Sequence, residues 1–129
     1  MIILDASILI AHLDETGTFH QQATRLLNSV ADQQLAASTI TVAEVLAGPA
    51  RAGQLDRAMS VLDQLRVRSL PLSEDSPPRL AALRSETRLK LPDSYVLLAA
   101  DQAPDTALAS FDDRLRSVAR SRGLKVLPE

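Results

Sequence analysis

Short apolar runs alternate along the chain with longer segments in which apolar residues recur at helical spacing. A short apolar run predicts a buried strand, because parallel strands that are covered on both faces have few polar positions. The predicted strands lie at residues 2–4, 35–37, 67–70, 107–109 and 125–127. Each of these strands is short, so the pattern predicts a small sheet of four to five strands.

The segments between the strands predict helices, since their apolar residues fall every three or four positions. The predicted helices cover residues 7–13, 19–30, 39–47, 54–65, 77–89, 91–100 and 113–122. Gly48-Pro49 is interpreted as the stop of the third helix. Strands that alternate with helices imply right-handed crossovers and a parallel sheet. We therefore expect a single domain over residues 1–129, an α/β fold built as a three-layer α/β/α sandwich.

Composition narrows the class of protein. The chain has 129 residues, of which 46% are hydrophobic and 23% are charged, and it contains no cysteine. These values are typical of a globular domain and exclude disulfide scaffolds, cysteine zinc sites and thiol catalysis. The first residues lack the basic segment of a signal peptide, and no apolar run approaches the roughly 18 residues of a membrane span. We expect a cytoplasmic protein without a membrane partner.

Four acidic residues lie where a charge is unexpected. Asp5 and Asp112 follow predicted strands, Glu44 lies within an apolar helix, and Asp93 precedes another apolar helix. Ligands of open α/β sheets bind beyond the carboxyl ends of the strands, where Asp5 and Asp112 are expected to meet. Four carboxylates in one crevice repel each other, and a hard divalent cation that prefers oxygen ligands relieves this repulsion.

Each of these acids also has a structural interpretation. Asp5 and Asp112 fit the N-cap positions of the helices that follow them. Asp93 fits the first turn of a helix, where an acid complements the helix dipole. Glu44 matches a capping box with Thr41, although we expect that helix to begin before Thr41. Capping and metal binding are not exclusive, so both interpretations remain open.

The acids also stand in recognisable motifs. The segments that carry them are 2–10, 41–48, 91–96 and 108–115, in that order along the chain. In this order and approximate spacing they resemble a PIN domain and, more narrowly, a VapC-type toxin, the ribonuclease of a type II toxin–antitoxin pair. The resemblance covers almost the whole chain.

Two details of the motifs differ from the family pattern. Leu97 and Leu98 stand where the family often has small residues after the third acid. The doublet Asp112-Asp113 makes the fourth acid ambiguous, and we favour Asp112 because it lies two positions after Ser110. Ser110 occupies the usual threonine position of the family and keeps its hydroxyl.

The resemblance implies metal-dependent hydrolysis of RNA phosphodiester bonds. The acids that it predicts to be catalytic and to bind Mg²⁺, or Mn²⁺ in its place, are Asp5, Glu44, Asp93 and Asp112. Asp5 and Asp93 are expected to be the principal ligands. Ser7 and Ser110 are expected to orient carboxylates or water molecules.

The resemblance also implies partners. The side chains expected to contact RNA phosphates are Arg84, Arg88, Lys90, Arg114, Arg116 and Arg120. With only Phe19, Tyr95 and Phe111 as aromatic residues, we expect little stacking on bases. A VapB-type antitoxin is the expected protein partner, DNA is contacted only through it, and the toxin is expected to form a homodimer.

Other functions fit less well. A haloacid-type phosphatase needs a second aspartate where this chain has Ser7. The glycine-rich motifs of Rossmann and P-loop nucleotide sites and the serine nucleophile elbow do not occur. A non-catalytic module of PIN fold, which binds an ion or RNA at its acids, remains the main alternative to the nuclease.

Overall fold

The computed structural model describes residues 1–102 and 104–129. Its strands are β1 (Ile2–Leu4), β2 (Leu35–Ser38), β3 (Arg68–Leu70), β4 (Ala107–Ala109) and β5 (Lys125–Leu127). Its helices are α1 (Ala6–Leu13), α2 (His20–Ser29), α3 (Thr39–Arg51), α4 (Leu55–Gln64), α5 (Ser76–Thr87), α6 (Leu91–Asp101) and α7 (Asp113–Ser121). The predicted α/β class and the alternation of strands and helices are confirmed. No helix in this part of the chain has both the length and the apolar character needed to cross a membrane.

All five strands are parallel, and their order in the sheet is β3-β2-β1-β4-β5. The chain moves outward from β1 through β2 to β3 on one side, and then returns to place β4 and β5 on the other side. The carboxyl ends of β1 and β4 therefore form a topological switch point, which is the usual ligand crevice of an open α/β sheet.

The sheet lies between two layers of helices. Ile2 and Leu4 of β1 point to the face that packs against α1, α2, α3 and α4. Ile3 points to the opposite face, where Leu97 of α6 and Leu115 of α7 lie. This alternation is the period of a β-strand, with apolar residues on both faces because helices cover both. The structure confirms the three-layer α/β/α sandwich.

The predicted helix stop at Gly48-Pro49 is wrong, because α3 runs through both residues. A residue before proline avoids the helical region because its N–H and its Cβ meet the proline ring, and Gly48, which has no Cβ, avoids part of this clash. The helix ends instead at Arg51, two residues before Gly53, whose φ of 70° is left-handed. The amide of Gly53 donates to the carbonyl of Ala50 (3.3 Å) and that of Gln54 to Pro49 (2.7 Å), the pattern of a Schellman motif.

Candidate metal centre

Asp5 lies at the switch point of the sheet. Its amide donates to the carbonyl of Ala109 at 2.9 Å, which fixes the end of β1 beside β4. Its side chain is nearly buried, and its Oδ2 accepts hydrogen bonds from Ser7 Oγ (2.7 Å) and Ser110 Oγ (2.8 Å). Asp5 occupies the N-cap position of α1, but its carboxylate makes no capping hydrogen bond. The carboxylate is therefore oriented by two serine hydroxyls and not by a capping bond.

The two serines are themselves held by main-chain amides. Ser7 Oγ accepts from the amide of Phe111 at 3.0 Å, and Ser110 Oγ accepts from the amide of Asp112 at 2.9 Å. Both hydroxyls thus donate to Asp5 Oδ2, and no donor in the described ranges bonds Oδ1. Because no fully buried polar side-chain atom of these ranges lacks a partner, Oδ1 keeps some contact with solvent, although Asp5 is only 5% exposed. One oxygen of Asp5 is fixed and the other is free to bind a ligand.

Asp112 caps a helix and also belongs to the site. It is the N-cap of α7, where its Oδ1 accepts from the amide of Leu115 at 3.0 Å, so the capping interpretation is correct for this residue. Its charge also raises the pKa of Asp93. In the doublet it is Asp112, rather than Asp113, whose charge acts on Asp93.

The pKa of Asp93 shows the effect of the neighbouring charges most clearly. Burial, followed by the charges of Asp5, Asp112 and Glu44, raises its pKa from 3.8 to about 6, while Lys90 acts in the opposite direction. Burial and the charge of Asp5 likewise raise the pKa of Glu44, a residue on the exposed side of α3. Asp5, Glu44, Asp93 and Asp112, here called the acid cluster, therefore lie within electrostatic range of one another.

The chemistry of the acid cluster fits a hard divalent cation. Within residues 1–102 and 104–129, no three acidic or histidine side chains converge into a preformed ligand set. Mg²⁺ is commonly held by one or two carboxylates and keeps several water molecules. Asp5, with its solvent-facing oxygen, and the half-buried Asp93 are the members best placed for such a site.

Arg116 has a structural contact that the sequence did not reveal. Its Nη1 donates to the carbonyls of Ser110 (2.9 Å) and Leu127 (3.1 Å), and its Nη2 donates to the carbonyl of Pro128 (2.7 Å). These bonds tie the end of β5 to the segment that leads from β4 into the acid cluster. The guanidinium of Arg116 is therefore occupied by main-chain carbonyls, which leaves little of it for RNA.

The other basic side chains predicted to contact RNA are exposed, and they lie near the start of α6 and on α5 and α7. Lys90 precedes α6, and its charge acts on the acid cluster. Arg114 Nη2 donates to the carbonyl of Arg88 at 3.2 Å, which joins the end of α5 to α7. Arg84 and Arg120 project from α5 and α7. Their contact with RNA stays a prediction.

Phe19 and Phe111 form a stacked pair that the sequence analysis missed. Their ring centroids are 5.3 Å apart, with an angle of 27° between the ring planes. Phe111 lies between Ser110 and Asp112, so the pair adjoins the acid cluster. Two of the three aromatic residues thus meet in the fold, although nothing in their sequence positions indicates this.

Comparisons with known proteins show the family and the fold of the chain. A search of curated proteins found no match. Among solved structures, the chain is similar to a toxin–antitoxin complex from Klebsiella pneumoniae, with 29% identity over 87% of each chain and a TM-score of 0.72. It is also similar to VapC20 of Mycobacterium tuberculosis, described as a toxin that cleaves the sarcin-ricin loop, with 16% identity over 92% of this chain and 95% of that chain and a TM-score of 0.76.

A third similar structure is VapBC2 from Rickettsia felis bound to a DNA fragment of its promoter, with 18% identity over 98% of this chain and 97% of that chain and a TM-score of 0.70. At this identity, the likeness to VapBC2 and to VapC20 shows the fold alone. The model of the PIN domain family matches residues 2–121. Because this match covers nearly the whole sequence, the chain belongs to the PIN domain family.

Proposed function

We propose that this PIN domain is a metal-dependent endoribonuclease that acts as the toxin of a VapBC-type toxin–antitoxin pair. The observation that carries the proposal is the presence, in a PIN domain, of four carboxylates around the carboxyl ends of β1 and β4, where burial and three of their charges raise the pKa of Asp93. Perturbed carboxylates in a crevice are typical of functional sites. Such repulsion is unfavourable in the free protein, and a bound cation relieves it.

The residues of the site have separate roles in this proposal. Asp5 and Asp93 are the principal ligands of Mg²⁺ or Mn²⁺, and Glu44 and Asp112 complete the acid cluster. When bound, the ion polarises the scissile phosphate and lowers the pKa of a bound water molecule. Ser7 and Ser110 hold Asp5 in one orientation, since both donate to Oδ2 and leave Oδ1 for the ligand.

RNA needs cations beside the acids, because four carboxylates repel a phosphate chain. Lys90 is the basic residue whose charge acts on the acid cluster. We propose that Lys90 and the exposed arginines Arg84, Arg88, Arg114 and Arg120 contact phosphates and position the RNA without selecting its sequence. Arg116 contributes indirectly by fixing the segment that carries Ser110.

A VapB-type antitoxin is the proposed protein partner. The similar structure from Klebsiella pneumoniae is a toxin–antitoxin complex, and the Rickettsia felis structure is a VapBC pair on promoter DNA. We further propose, from the resemblance to VapC-type toxins, that this chain forms a homodimer, contacts DNA only through its antitoxin and acts in the cytoplasm. A gene for a short DNA-binding protein directly upstream of this one supports the pairing, and its absence contradicts the toxin role without contradicting the nuclease.

RNA cleavage by the purified, antitoxin-free protein tests the activity. We expect cleavage with Mg²⁺ or Mn²⁺, none with EDTA, and losses of at least about 100-fold in Asp5→Asn and Asp93→Asn. Asp63→Asn, on the exposed side of α4, is the matched control and is expected to retain activity. Unchanged cleavage in Asp5→Asn and Asp93→Asn contradicts the assignment. Ion binding without turnover identifies a non-catalytic module instead.

A further inference from the structure

The side chain of Arg116 ties the end of β5 to the candidate metal centre. Its Nη1 donates to the carbonyls of Ser110 (2.9 Å) and Leu127 (3.1 Å), and its Nη2 donates to that of Pro128 (2.7 Å). The amide of Ser110 also donates to the carbonyl of Leu127 at 3.1 Å. Hydrogen bonds from a charged donor are roughly twice as strong as those between neutral groups. Arg116 therefore holds the main chain of Ser110 firmly against the end of β5.

The side chain of Ser110 transmits this constraint to Asp5. Ser110 is fully buried, and its Oγ donates to Asp5 Oδ2 at 2.8 Å, so a displacement of its main chain moves the donor away from the carboxylate. Ser7 donates to the same oxygen at 2.7 Å and is anchored separately, by the amide of Phe111. Loss of the Arg116 guanidinium is therefore expected to loosen Asp5 without releasing it.

The charge of Arg116 and its hydrogen bonds have opposite effects on a cation. Removal of a positive charge near the acid cluster strengthens the attraction of a divalent cation, because Coulomb repulsion is lost. Removal of the hydrogen bonds weakens binding, because groups that orient metal ligands typically contribute about 10- to 100-fold to metal affinity. The sign of the change in affinity therefore distinguishes positioning from electrostatics.

We propose that Arg116 is a positioning residue of the metal centre, which couples the end of β5 to the affinity of the acid cluster for a divalent cation. The inference rests on the proposed function and adds how the affinity of that site is set. Arg116 is not a ligand, and it acts through Ser110 and Asp5. Because coupling between two sites is reciprocal, a bound cation also holds residues 127 and 128 more firmly in place.

Binding of Mn²⁺ to the full chain without RNA tests the inference, with free Mn²⁺ measured by electron paramagnetic resonance. We expect Arg116→Gln to bind Mn²⁺ about tenfold more weakly than wild type. Arg116→Lys keeps the charge but lacks the planar fork that spans three carbonyls, so we expect an intermediate affinity. Arg79→Gln removes the same charge from an exposed ion pair with Asp75 at the start of α5 and is the matched control. Its affinity for Mn²⁺ is expected to equal that of wild type.

A double-mutant cycle with Ser110→Ala tests whether Arg116 acts through Ser110. In the Ser110→Ala background, Arg116→Gln is expected to change Mn²⁺ affinity by less than about twofold, because the hydroxyl that it positions is already absent. A role confined to stability instead lowers the free energy of unfolding in both backgrounds and leaves the Mn²⁺ affinity of the folded protein unchanged. Circular dichroism verifies that each variant is folded under the conditions of the titration.

Hydrogen exchange measures the reciprocal effect on β5. Saturating Mg²⁺ is expected to slow exchange of the β5 amides about tenfold in wild type and in Arg79→Gln, since the coupling factor is the same in both directions. In Arg116→Gln the cation is expected to slow this exchange by less than about twofold, because the connection between β5 and Ser110 is lost.

Several results overturn the inference. They are unchanged or tighter Mn²⁺ binding by Arg116→Gln, an additive loss in the Ser110→Ala background, exchange of β5 that does not respond to Mg²⁺, failure of both Arg116 variants to fold, and absence of Mn²⁺ binding by wild type. The nuclease function is judged separately, by RNA cleavage with wild type. Cleavage with no effect of Arg116 on Mn²⁺ affinity retains the function and removes the inference, whereas weaker binding by Arg116→Gln without cleavage by wild type does the reverse.

Discussion

Replacement of Asp93 by asparagine tests whether repulsion in the acid cluster destabilises the metal-free protein. Burial and the charges of Asp5, Asp112 and Glu44 raise the pKa of Asp93 from 3.8 to about 6. A rise of this size corresponds to about 3 kcal/mol of unfavourable ionisation at neutral pH. Asp93 is only half-buried, and solvent screening reduces the effect on stability to about 1 kcal/mol.

The direction of the pH dependence follows from the two pKa values. Between about pH 4 and pH 6 the folded protein binds the proton of Asp93 more tightly than the unfolded chain does. The contribution of Asp93 to the free energy of unfolding is therefore largest at low pH and falls as the pH rises to about 6. Asparagine has no proton to lose, so Asp93→Asn is expected to be about 1 kcal/mol more stable than wild type at pH 7.5 and nearly equal to it at pH 4.

Urea unfolding in EDTA at the two pH values measures this difference, with Asp63→Asn as the exposed control that is expected to change stability by less than about 0.5 kcal/mol. Adding Mg²⁺ at pH 7.5 is expected to stabilise wild type more than Asp93→Asn, because a ligand stabilises the folded state that binds it. The electrostatic argument is refuted if Asp93→Asn is less stable than wild type in EDTA at pH 7.5, or if its gain in the free energy of unfolding is the same at both pH values.

Substitutions at Gly53, Arg116 and Ser110 test local features of the fold and site. Gly53→Ala is expected to lower the free energy of unfolding by about 1 kcal/mol in urea titrations and Gly53→Asn by less, because asparagine tolerates a left-handed φ; equal losses contradict this. Arg116→Ala is expected to lower the free energy of unfolding by about 2–3 kcal/mol, and Arg120→Ala by less than about 0.5 kcal/mol. Similar losses for the two variants refute the structural role of Arg116. Ser110→Ala is expected to reduce kcat for RNA about 10- to 100-fold, since Asp5 loses a donor; full activity excludes that role.

The centre of the sheet was predictable because β1, β2 and β4 are local runs of apolar and small residues, whereas the edge strand β3 (Arg68–Leu70) is mostly exposed. Ile2, Ile3 and Leu4 are buried on alternating faces, so an uninterrupted run was the correct signal for a strand covered on both sides. The stop at Gly48-Pro49 was mispredicted because a rule for proline in general does not account for the glycine before it. Local patterns therefore predicted which elements form, and failed where two neighbouring residues modify each other's preferences.

The contacts around the site were less predictable because they join distant parts of the chain. Because Arg116 lies in a basic helix, we expected it to contact RNA, but its guanidinium donates to the carbonyls of Ser110, Leu127 and Pro128. The carbonyl of Leu127 also accepts a hydrogen bond from the amide of Ser110 at 3.1 Å, so Arg116 bonds the end of the β4–β5 pair. The partner of a long side chain depends on which main-chain groups the tertiary fold brings within its reach, and no spacing in the sequence encodes that.

Capping by Asp112 occupies only one oxygen of its carboxylate, so the cap is compatible with ligand binding. Asp112 uses Oδ1 to cap α7 through the amide of Leu115, while Asp5 uses Oδ2 to accept from Ser7 and Ser110. In the part of the chain that the structure describes, the second oxygen of each carboxylate has no hydrogen-bond donor. Each carboxylate is thus immobilised through one oxygen and available through the other, which reduces the entropy lost when a ligand binds. A capping pattern at an aspartate is therefore no reason to exclude that residue from a metal site.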